Sequence, residues 1–252
     1  MIKGLYAAAT GMIALEARQS ILANNIANSS TPGFRKQEPI MKGFYDVYLD
    51  KLGTVAQYNN RIAPGGGVEV DQTYTLTRNG PITSTGDSLN VGLQGPGYLV
   101  VDTPRGERYT RNGTFAIDAD GELATVDGLK VQGAGGGGID VSGGKIQFEQ
   151  DGTVLVDGKT RGKLRVVEFK DPHKLYQQGE NLYAARPEAK KEMAEGVNTR
   201  VIGKTLEQSN VQVPIALTNM MIGLRAYAAN QRVINAINET MGRVIDQVGS
   251  PT

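Results

Sequence analysis

The residues that could carry out chemistry are few, and the first candidate is a lone histidine. His173 is the single histidine of the chain, in the loop Asp171-Pro172-His173-Lys174. Because the chain has one histidine, a zinc site built from several histidines is excluded, and any Ser-His-Asp triad would depend on this one residue. Residues in such loops normally lie at the surface. We therefore interpret His173 as a surface residue and predict no catalytic site.

Several other segments are superficially similar to ligand-binding loops. Asp118-Ala119-Asp120-Gly121-Glu122 could begin a calcium loop, but the later bidentate Glu is missing at the required spacing. The glycine runs at 65–67 and 133–138 are not followed by Gly-Lys-Ser/Thr, as a phosphate-binding loop requires. Gly95-Pro96-Gly97-Tyr98 fits a tight turn that leads into a strand. We therefore predict no metal ion and no cofactor.

Composition and charge exclude further function classes. The chain has 252 residues, and 27 Lys and Arg against 26 Asp and Glu give a formal charge of +1. This balance argues against a nucleic-acid partner, which a basic surface would attract. The absence of cysteine excludes disulfides, thiolate metal sites and a cysteine nucleophile. The 33 glycines indicate many turns, which favours β structure.

The N-terminus is a poor secretory signal. Its apolar stretch is interrupted by Thr10, Gly11, Glu16 and Arg18. No run elsewhere approaches the roughly 18 apolar residues that a membrane-spanning helix needs. We therefore expect no cleaved signal peptide and no direct membrane span.

A seven-residue apolar period predicts an N-terminal helix over residues 3–28. One seam row contains Leu5, Met12 and Ile26, with Gln19 at the remaining place, and the other contains Ala8, Leu15 and Leu22. This is the pattern of a coiled coil, in which a lone polar residue such as Gln19 fixes register and partner number. Asn28-Ser29-Ser30-Thr31-Pro32-Gly33 should end the helix, since proline cannot continue its hydrogen bonds.

The C-terminal region predicts a longer helix of about 35 residues, roughly 50 Å, that begins near Pro214 and ends before Gly249. Its seam rows are Leu217, Leu224, Gln231, Asn238 and Ile245, and Met220, Tyr227, Ile234, Met241 and Val248. A second apolar stripe follows another face: Ile222, Ala226, Ala229, Val233, Ile237 and Val244. One partner helix cannot cover every apolar face, so several neighbours are implied.

The region between the helices has the period of two that is typical of strands, with frequent turn dipeptides. These are Asn79-Gly80, Asn112-Gly113, Asp120-Gly121, Asp127-Gly128, Asp151-Gly152 and Asp157-Gly158. Each pair is interpreted as a hairpin turn, and the repeated Thr-Arg-Asn-Gly at 77–80 and 110–113 as one turn design used twice. The predicted strands include residues 98–102, 108–110, 114–117, 145–148, 153–156 and 164–169.

Two segments are assigned from composition alone. Residues 35–67 fit a short helix that gives way to a loop at Pro64-Gly65-Gly66-Gly67. The apolar residues of that helix are Met41, Phe44, Tyr45, Val47, Tyr48, Leu49 and Leu52. Residues 133–138 are interpreted as a flexible connection within the β region.

The elements together predict an α+β fold. Long N- and C-terminal helices pair as a coiled-coil-like domain, and a central all-β domain with many hairpins lies between them in the chain. The expected boundaries are an N-terminal assembly helix over 1–34, a partly helical or extended connecting segment over 35–68, the β domain over 69–203 and a C-terminal assembly helix over 204–252.

Three asparagines near the end of the first helix, Asn24, Asn25 and Asn28, are poor helix formers and need an explanation. One interpretation is helix termination alone. The other is that their amides form hydrogen bonds across subunit boundaries in a polymer, where buried polar groups need partners. With them, the predicted assembly interface comprises Leu5, Ala8, Met12, Leu15, Gln19, Leu22, Ile26, Leu217, Met220, Leu224, Tyr227, Gln231, Ile234, Asn238, Met241 and Ile245.

Several motifs resemble those of flagellar hook and basal-body rod proteins. The N-terminal motif is Leu22-Ala23-Asn24-Asn25-Ile26-Ala27-Asn28-Ser29-Ser30-Thr31-Pro32-Gly33-Phe34. The central motifs are Tyr109-Thr110-Arg111-Asn112-Gly113-Thr114-Phe115 and Gly179-Glu180-Asn181-Leu182-Tyr183. The C-terminal motifs are Leu206-Glu207-Gln208-Ser209-Asn210-Val211 and Arg225-Ala226-Tyr227-Ala228-Ala229-Asn230. The resemblance covers both ends and the middle of the chain.

This resemblance implies a non-enzymatic subunit of the flagellar basal-body rod, of the proximal or distal type, with the proximal type favoured. It implies export through the flagellar export apparatus without a cleaved signal, and location in the basal body within the periplasmic space. The terminal helices would fold as subunits join the shaft that transmits torque from motor to hook. The implied partners are further copies of the chain, other rod and hook subunits, and the export apparatus.

Two other function classes fit parts of the pattern. A surface or tail-fibre-like β binding module with helical trimerisation ends would use the same helices in a discrete trimer. A hydrolase on a β scaffold would require His173 or a carboxylate pair.

Overall fold

The structure of the protein is a computed structural model that describes residues 2–43, 67–179 and 181–249. The chain forms two compact units. The helical unit comprises Met1–Ala27, Gln37–Tyr74 and Gln212–Thr252, and the β unit comprises Asn28–Lys36 and Thr75–Val211. The α+β fold class, with a mostly β central region between two long helices, is confirmed.

Two long helices, one short helix and a series of mostly short strands make up the described part of the chain. In chain order, the helices are α1 (Ile2–Ala27), α2 (Pro187–Lys191) and α3 (Val213–Gly249). The strands are β1 (Gln37–Gly43), β2 (Val68–Thr75), β3 (Ile82–Ser84), β4 (Val91–Gln94), β5 (Tyr98–Thr103), β6 (Gly106–Thr110), β7 (Phe115–Ile117), β8 (Leu123–Thr125), β9 (Ile146–Phe148), β10 (Thr153–Val156), β11 (Lys159–Lys163), β12 (Val166–Phe169), β13 (Leu175–Gln177), β14 (Leu182–Ala185), β15 (Met193–Glu195), β16 (Arg200–Gly203) and β17 (Thr205–Glu207).

Both long helices lie where the apolar periods predict them. α1 has 26 residues and ends at Ala27, directly before the segment that contains Pro32 and Gly33. α3 has 37 residues and is therefore about 55 Å long, with Pro214 in its first turn. Within the described residues, no helix combines the length and apolar character needed to span a membrane.

The connecting segment was predicted to be partly helical or extended, and residues 37–43 are extended, so the predicted short helix does not include Met41. Met41 lies in β1, which pairs with β2. Lys42 Nζ lies 2.9 Å from Asp71 Oδ2 across these strands. The remaining residues assigned to that helix, from Phe44 to Leu52, lie outside the described residues, as does Pro64-Gly65-Gly66. A strand whose partner is distant in sequence leaves little local signal, which explains the error.

A six-stranded sheet forms the centre of the β unit, in the order β13-β14-β6-β5-β12-β15. Its adjacent strands are antiparallel. The alternating side chains of β5 pack into two different cores: Leu99 and Val101 into one, Tyr98 and Val100 into the other. Because both faces of the sheet are buried at this point, the first four residues of β5 are all apolar.

Smaller antiparallel sheets complete the β unit. They are β11-β10-β9, β16-β4, β17-β3 and β7-β8. All six predicted strands are present, with ends that differ by at most two residues from the prediction. The pairings of β16 with β4 and of β17 with β3 join segments far apart in the chain, and they were not predicted.

Four of the six predicted turn dipeptides contain glycine with positive φ, as the turn assignment requires. Asp157-Gly158 joins β10 to β11, with φ values of 51° and 75° at the two residues. The other three glycines are Gly121, Gly128 and Gly152.

The Asn79-Gly80 and Asn112-Gly113 pairs are not hairpin turns, so that prediction is wrong. Neither glycine is among the residues with positive φ. A Cβ atom on Gly80 would lie 1.8 Å from the carbonyl O of Gln208, and one on Gly113 equally close to that of Val91. These glycines are required because another backbone segment packs directly on them.

The glycine run at 133–138 forms a hydrogen-bonded turn rather than a flexible connection. The Gly133 N–H donates to the carbonyl O of Gly137 over 2.8 Å. The Ala134 N–H donates to the carbonyl O of Lys163 over 2.8 Å. The positive φ of Gly136 and Gly137 is used to reverse the chain, so composition alone was misleading at this position.

Candidate assembly surface

The two long helices pack against each other in antiparallel orientation. Gly4 of α1 lies opposite Ile237 of α3, and Gly11 lies opposite Asn230. A Cβ atom on Gly11 would lie 3.2 Å from Asn230 Nδ2, so the glycine allows a close approach of the helices.

At another contact between the two helices, the glycine belongs to α3 and the larger residue to α1. Gly223 of α3 lies opposite Gln19 of α1, and Gln19 Nε2 donates to the carbonyl O of Met220 over 3.5 Å. Gln19, the lone polar residue of its seam row, is thus half-buried against α3. That the pair supercoils as a coiled coil stays a prediction.

The two predicted seam rows of α3 have different surroundings. Met220, Tyr227, Ile234 and Met241 are half-buried, on the side where Ala216 and Gly223 are buried. The other row is exposed and comprises Leu217, Leu224, Gln231, Asn238 and Ile245. The exposed fraction is 55% for Leu224 and 66% for Ile245. This row is therefore left uncovered by α1.

The predicted interface residues of α1 lie on its α3-facing side or close to it. Ala8 and Leu22 are buried, and the half-buried residues are Leu5, Met12, Leu15, Gln19 and Ile26. Two further apolar residues, Tyr6 and Ile13, are exposed by 46% and 67%. The seam pattern did not include them, because they fall outside its two rows.

The asparagines at the end of α1 differ from one another. Asn25 is fully buried and Asn24 is exposed. The Asn25 side chain forms hydrogen bonds in both directions with the backbone of Gln37, within the chain itself. Asn28 accepts hydrogen bonds from Thr31 at its carbonyl O and at Oδ1, both over 3.2 Å. Helix termination therefore explains part of the role of Asn28.

Residues 28–36, which we name the strap, belong to the β unit although they directly follow α1. The Gly33 N–H donates to the carbonyl O of Glu207 over 2.7 Å. Asn181 Nδ2 donates to the carbonyl O of Pro32 over 3.0 Å. Phe34 is 2% exposed. The strap is thus buried from Gly33 to Arg35, while its other residues are half-buried or exposed.

Three buried charged residues lie beside the strap and form what we name the charge cluster: Arg35, Arg111 and Glu207. Glu207 Oε2 lies 3.1 Å from Arg111 Nη1, and Glu207 Oε1 lies 3.7 Å from Arg35 Nη2. All three side chains are at most 3% exposed. Two guanidinium groups and one carboxylate give this buried cluster a formal charge of +1.

Polar and aromatic neighbours stabilise the two guanidinium groups. Asn79 Oδ1 accepts hydrogen bonds from Arg35 and Arg111 over 2.8 and 2.9 Å. Both guanidinium groups also lie over the ring of Tyr98, 5.6 and 5.3 Å from its centroid. Burial, together with the charge of Arg35, lowers the pKa of Arg111 to about 10, so Arg111 remains charged at neutral pH.

The charge cluster and the strap bring together motifs that are far apart in sequence. Gly33 comes from the N-terminal motif, Arg111 and Asn181 from the two central motifs, and Glu207 from the first C-terminal motif. Sequence reasoning singled out these motifs but did not identify their contacts with one another. Arg111 directly precedes a turn-like dipeptide and has no local signal that would reveal its partner.

The segments considered for chemistry have structural roles. Lys130 Nζ lies 2.7 Å from Glu122 Oε2 and 3.3 Å from Asp120 Oδ2, so carboxylates of the calcium-like segment are paired with an ammonium group. His173 is exposed in the short 3-10 helix Pro172–Lys174, and its N–H donates to Asp171 Oδ1. Among the described residues, no group of three or more His, Asp or Glu could hold a metal ion.

Three family models match separate parts of the chain. "Flagella basal body rod protein" matches residues 5–35, which include most of α1 and most of the strap. "Flagellar hook protein FlgE/F/G D1 domain" matches residues 92–156 of the β unit. "Flagellar basal body rod FlgEFG protein C-terminal" matches residues 203–247, which include Glu207 and nearly all of α3.

Whole-length relatives agree with these matches. The flagellar basal-body rod protein FlgG of Caulobacter vibrioides is 30% identical over 95% of this chain and 97% of its own length. FlgF of Rhizobium meliloti, also named a flagellar basal-body rod protein, is 30% identical over 99% of both chains. FlgG of Bacillus subtilis is 28% identical over 98% of this chain and 99% of its own. The chain therefore belongs to the flagellar basal-body rod protein family, which is structural and not enzymatic.

Proposed function

We propose that the protein is a structural subunit of the flagellar rod that polymerises through its terminal helices into the shaft transmitting torque from motor to hook. The observation that carries this proposal is the uncovered apolar surface of α3. Leu217, Leu224 and Ile245 remain 45–66% exposed although α1 packs on the neighbouring face. Apolar surface of this extent normally marks a site of protein association.

More than one neighbouring helix is needed to cover this surface. Ile222, Val233 and Val244, on another face of α3, are also 45–54% exposed. By contrast, Arg225, Arg232, Glu239 and Asp246 form a charged row at seven-residue spacing, and all four are exposed. We infer that the charged row faces solvent in the polymer, while the apolar faces contact helices of neighbouring subunits.

The proposed neighbours are further copies of this chain and other rod and hook subunits. Contacts of this kind that do not close into a ring generate a helical filament. The relatives include proteins named FlgG and FlgF, so their names alone do not distinguish rod positions. We favour the proximal rod type. We further propose export through the flagellar apparatus without a cleaved signal, and a location in the periplasmic part of the basal body.

An aspartate at Leu224 tests the assembly surface. Leu224→Asp should abolish swimming, because a carboxylate cannot be buried in an apolar helix contact without a partner. Arg232→Gln is the matched control, since it also lowers the net charge by one but lies in the charged row. The purified Leu224→Asp protein should retain the circular dichroism of a folded β unit. Normal swimming of this variant would refute the proposed interface.

Limited proteolysis of the purified monomer is a second test. Helices gain most of their stability from packing, so the parts of α1 and α3 most distant from the β unit in sequence should be cleaved first. The β unit should resist cleavage. Cleavage within the β unit before the helices would contradict the proposal, and a stable discrete trimer would favour the surface or tail-fibre-like module instead.

A further inference from the structure

The strap and the residues that precede α3 lie side by side in the β unit. The Gly33 N–H donates to the carbonyl O of Glu207, and the Lys36 N–H donates to Asn210 Oδ1, both over 2.7 Å. The Leu76 N–H donates to the carbonyl O of Lys36 over 2.9 Å. The strap directly follows α1 in the chain, and α3 begins shortly after Asn210. These contacts therefore join the two segments that continue into the long helices.

The site for the strap is shaped by the backbone of the β unit. Gly33 has a φ of 71°, and a Cβ atom there would lie 2.5 Å from the carbonyl C of Arg111. No other residue type fits this position without displacing the strap or Arg111. The close fit means that docking of the strap depends on a β unit whose Arg111 segment is already in place.

The charges support the same order of events. Without the strap, Arg111 and Glu207 form a neutral pair, which a folded β unit can hold. Docking adds the guanidinium group of Arg35, and Glu207 is then the one carboxylate shared by two buried cations. Apolar burial of Phe34 and the backbone hydrogen bonds favour docking, whereas removal of the Arg35 charge from water opposes it.

We propose that the strap is a latch: it docks on the already folded remainder of the β unit, Thr75–Val211, with Glu207 as the counter-charge for Arg35, and it can release without unfolding that remainder. Through one buried carboxylate, the latch joins the segment that follows the end of α1 to the segment that precedes the start of α3. Its docked and released states are properties of the monomer, so this inference does not depend on the proposed polymer.

Amide hydrogen exchange on the full-length protein tests the latch. In Glu207→Gln, the Gly33 and Leu76 amides should lose about a hundredfold of their protection, because two buried guanidinium groups lose their carboxylate. The core amides of Leu123 and Val131 should lose much less protection, because neither these donors nor their acceptors lie in the strap or in the charge cluster. Glu195→Gln makes the same chemical change at an exposed position and should leave all four amides unchanged.

Adding Arg35→Met to Glu207→Gln returns the buried charge to its original value and should restore at least about tenfold of the lost protection.

Gly33→Ala displaces the strap by steric contact alone, so it provides a second test if Glu207→Gln does not fold. It should lower protection at Leu76 and spare Leu123. Equal losses at strap and core amides would show that the strap is not a separate unit. No loss at Gly33 and Leu76, or no restoration by Arg35→Met, would also overturn the proposal.

Discussion

Asn25 and Gln37 are joined by two hydrogen bonds, from Asn25 Nδ2 to Gln37 O over 2.8 Å and from Gln37 N to Asn25 Oδ1 over 2.9 Å. The side-chain amide thus bonds to the backbone of β1 as a neighbouring strand would. This arrangement ties the last turn of α1 to the first residue of β1. An asparagine that is unfavourable for helix formation is therefore retained with an intrachain role, beside any contact that it makes in a polymer.

Replacing Asn25 with alanine should weaken this connection. Asn25→Ala removes both bonds and leaves backbone groups of Gln37 without these partners, so the free energy of opening at the Gln37 amide should fall by about 1–3 kcal/mol. Asn24→Ala, at an exposed position of the same turn, should change it by less than about 0.5 kcal/mol. Hydrogen exchange measures both. Equal effects of the two substitutions would contradict the assignment.

Gly113 should not tolerate a side chain. Gly113→Ala places a Cβ atom 1.8 Å from the carbonyl O of Val91, so the backbone must move and the free energy of unfolding should fall by about 3 kcal/mol. Gly135→Ala is the control, because its Cβ would meet no atom within 4 Å. Urea denaturation should show at most a small stabilisation for that control. Similar stabilities of both variants would be incompatible with the close backbone contact.

The hydroxyl group of Thr199 should matter more than its methyl group. Thr199 Oγ1 accepts a hydrogen bond from the Gly97 N–H over 2.8 Å and donates one to Glu168 Oε1 over 2.7 Å. Thr199→Val has nearly the same shape but leaves the Gly97 N–H unpaired, which should lower the free energy of unfolding by about 1–3 kcal/mol. Thr199→Ser keeps the hydroxyl and should lose less. A less stable Ser variant would show that packing dominates at this position.

Glu107 should contribute to the loss of stability of the β unit in acid. A hydrogen bond from Arg165 Nη1, over 2.8 Å, lowers the pKa of Glu107 below its ordinary value of 4.5. Because the folded pKa is the lower one, the stabilisation is fully present above pH 4.5 and is lost as pH falls through the folded pKa. Arg165→Met should therefore make the free energy of unfolding depend less steeply on pH in this acidic range.

Arg161→Met is the control for the pH experiment. Arg161 lies near Asp140, but hydrogen bonds from Ser142 are the main cause that lowers the pKa of Asp140. Urea denaturation at a series of pH values should give nearly the original slope for this variant. If Arg161→Met flattened the slope as much as Arg165→Met, the Glu107 pair would not be the source of the acid dependence.

Local patterns predicted the elements whose signal is contained in their own residues. The period of seven placed α1 correctly because it records the side that contacts α3. Asp157-Gly158 predicted a hairpin because a two-residue turn is determined by its own backbone angles. In both places the sequence of the element itself carries the signal, even though the partner of α1 is distant in the chain.

Long-range contacts explain what the sequence did not reveal. Asn112-Gly113 has the composition of a turn, yet its glycine is required by the distant carbonyl of Val91. Pro32 and Gly33 were interpreted as the end of a helix, while their contacts with Asn181 and Glu207 remained unknown. The pairing of Arg35 and Arg111 with one carboxylate depends on tertiary packing, which no local period records.

The turn at 133–138 has a practical consequence for labelling the protein. Cβ atoms on Gly135, Gly136 and Gly137 would all extend into open space. An epitope or a small fluorescent tag inserted between Gly135 and Gly136 would therefore lie outside both cores and leave both chain ends unmodified. Such an internal tag would allow the protein to be followed in living cells with its two long helices unaltered.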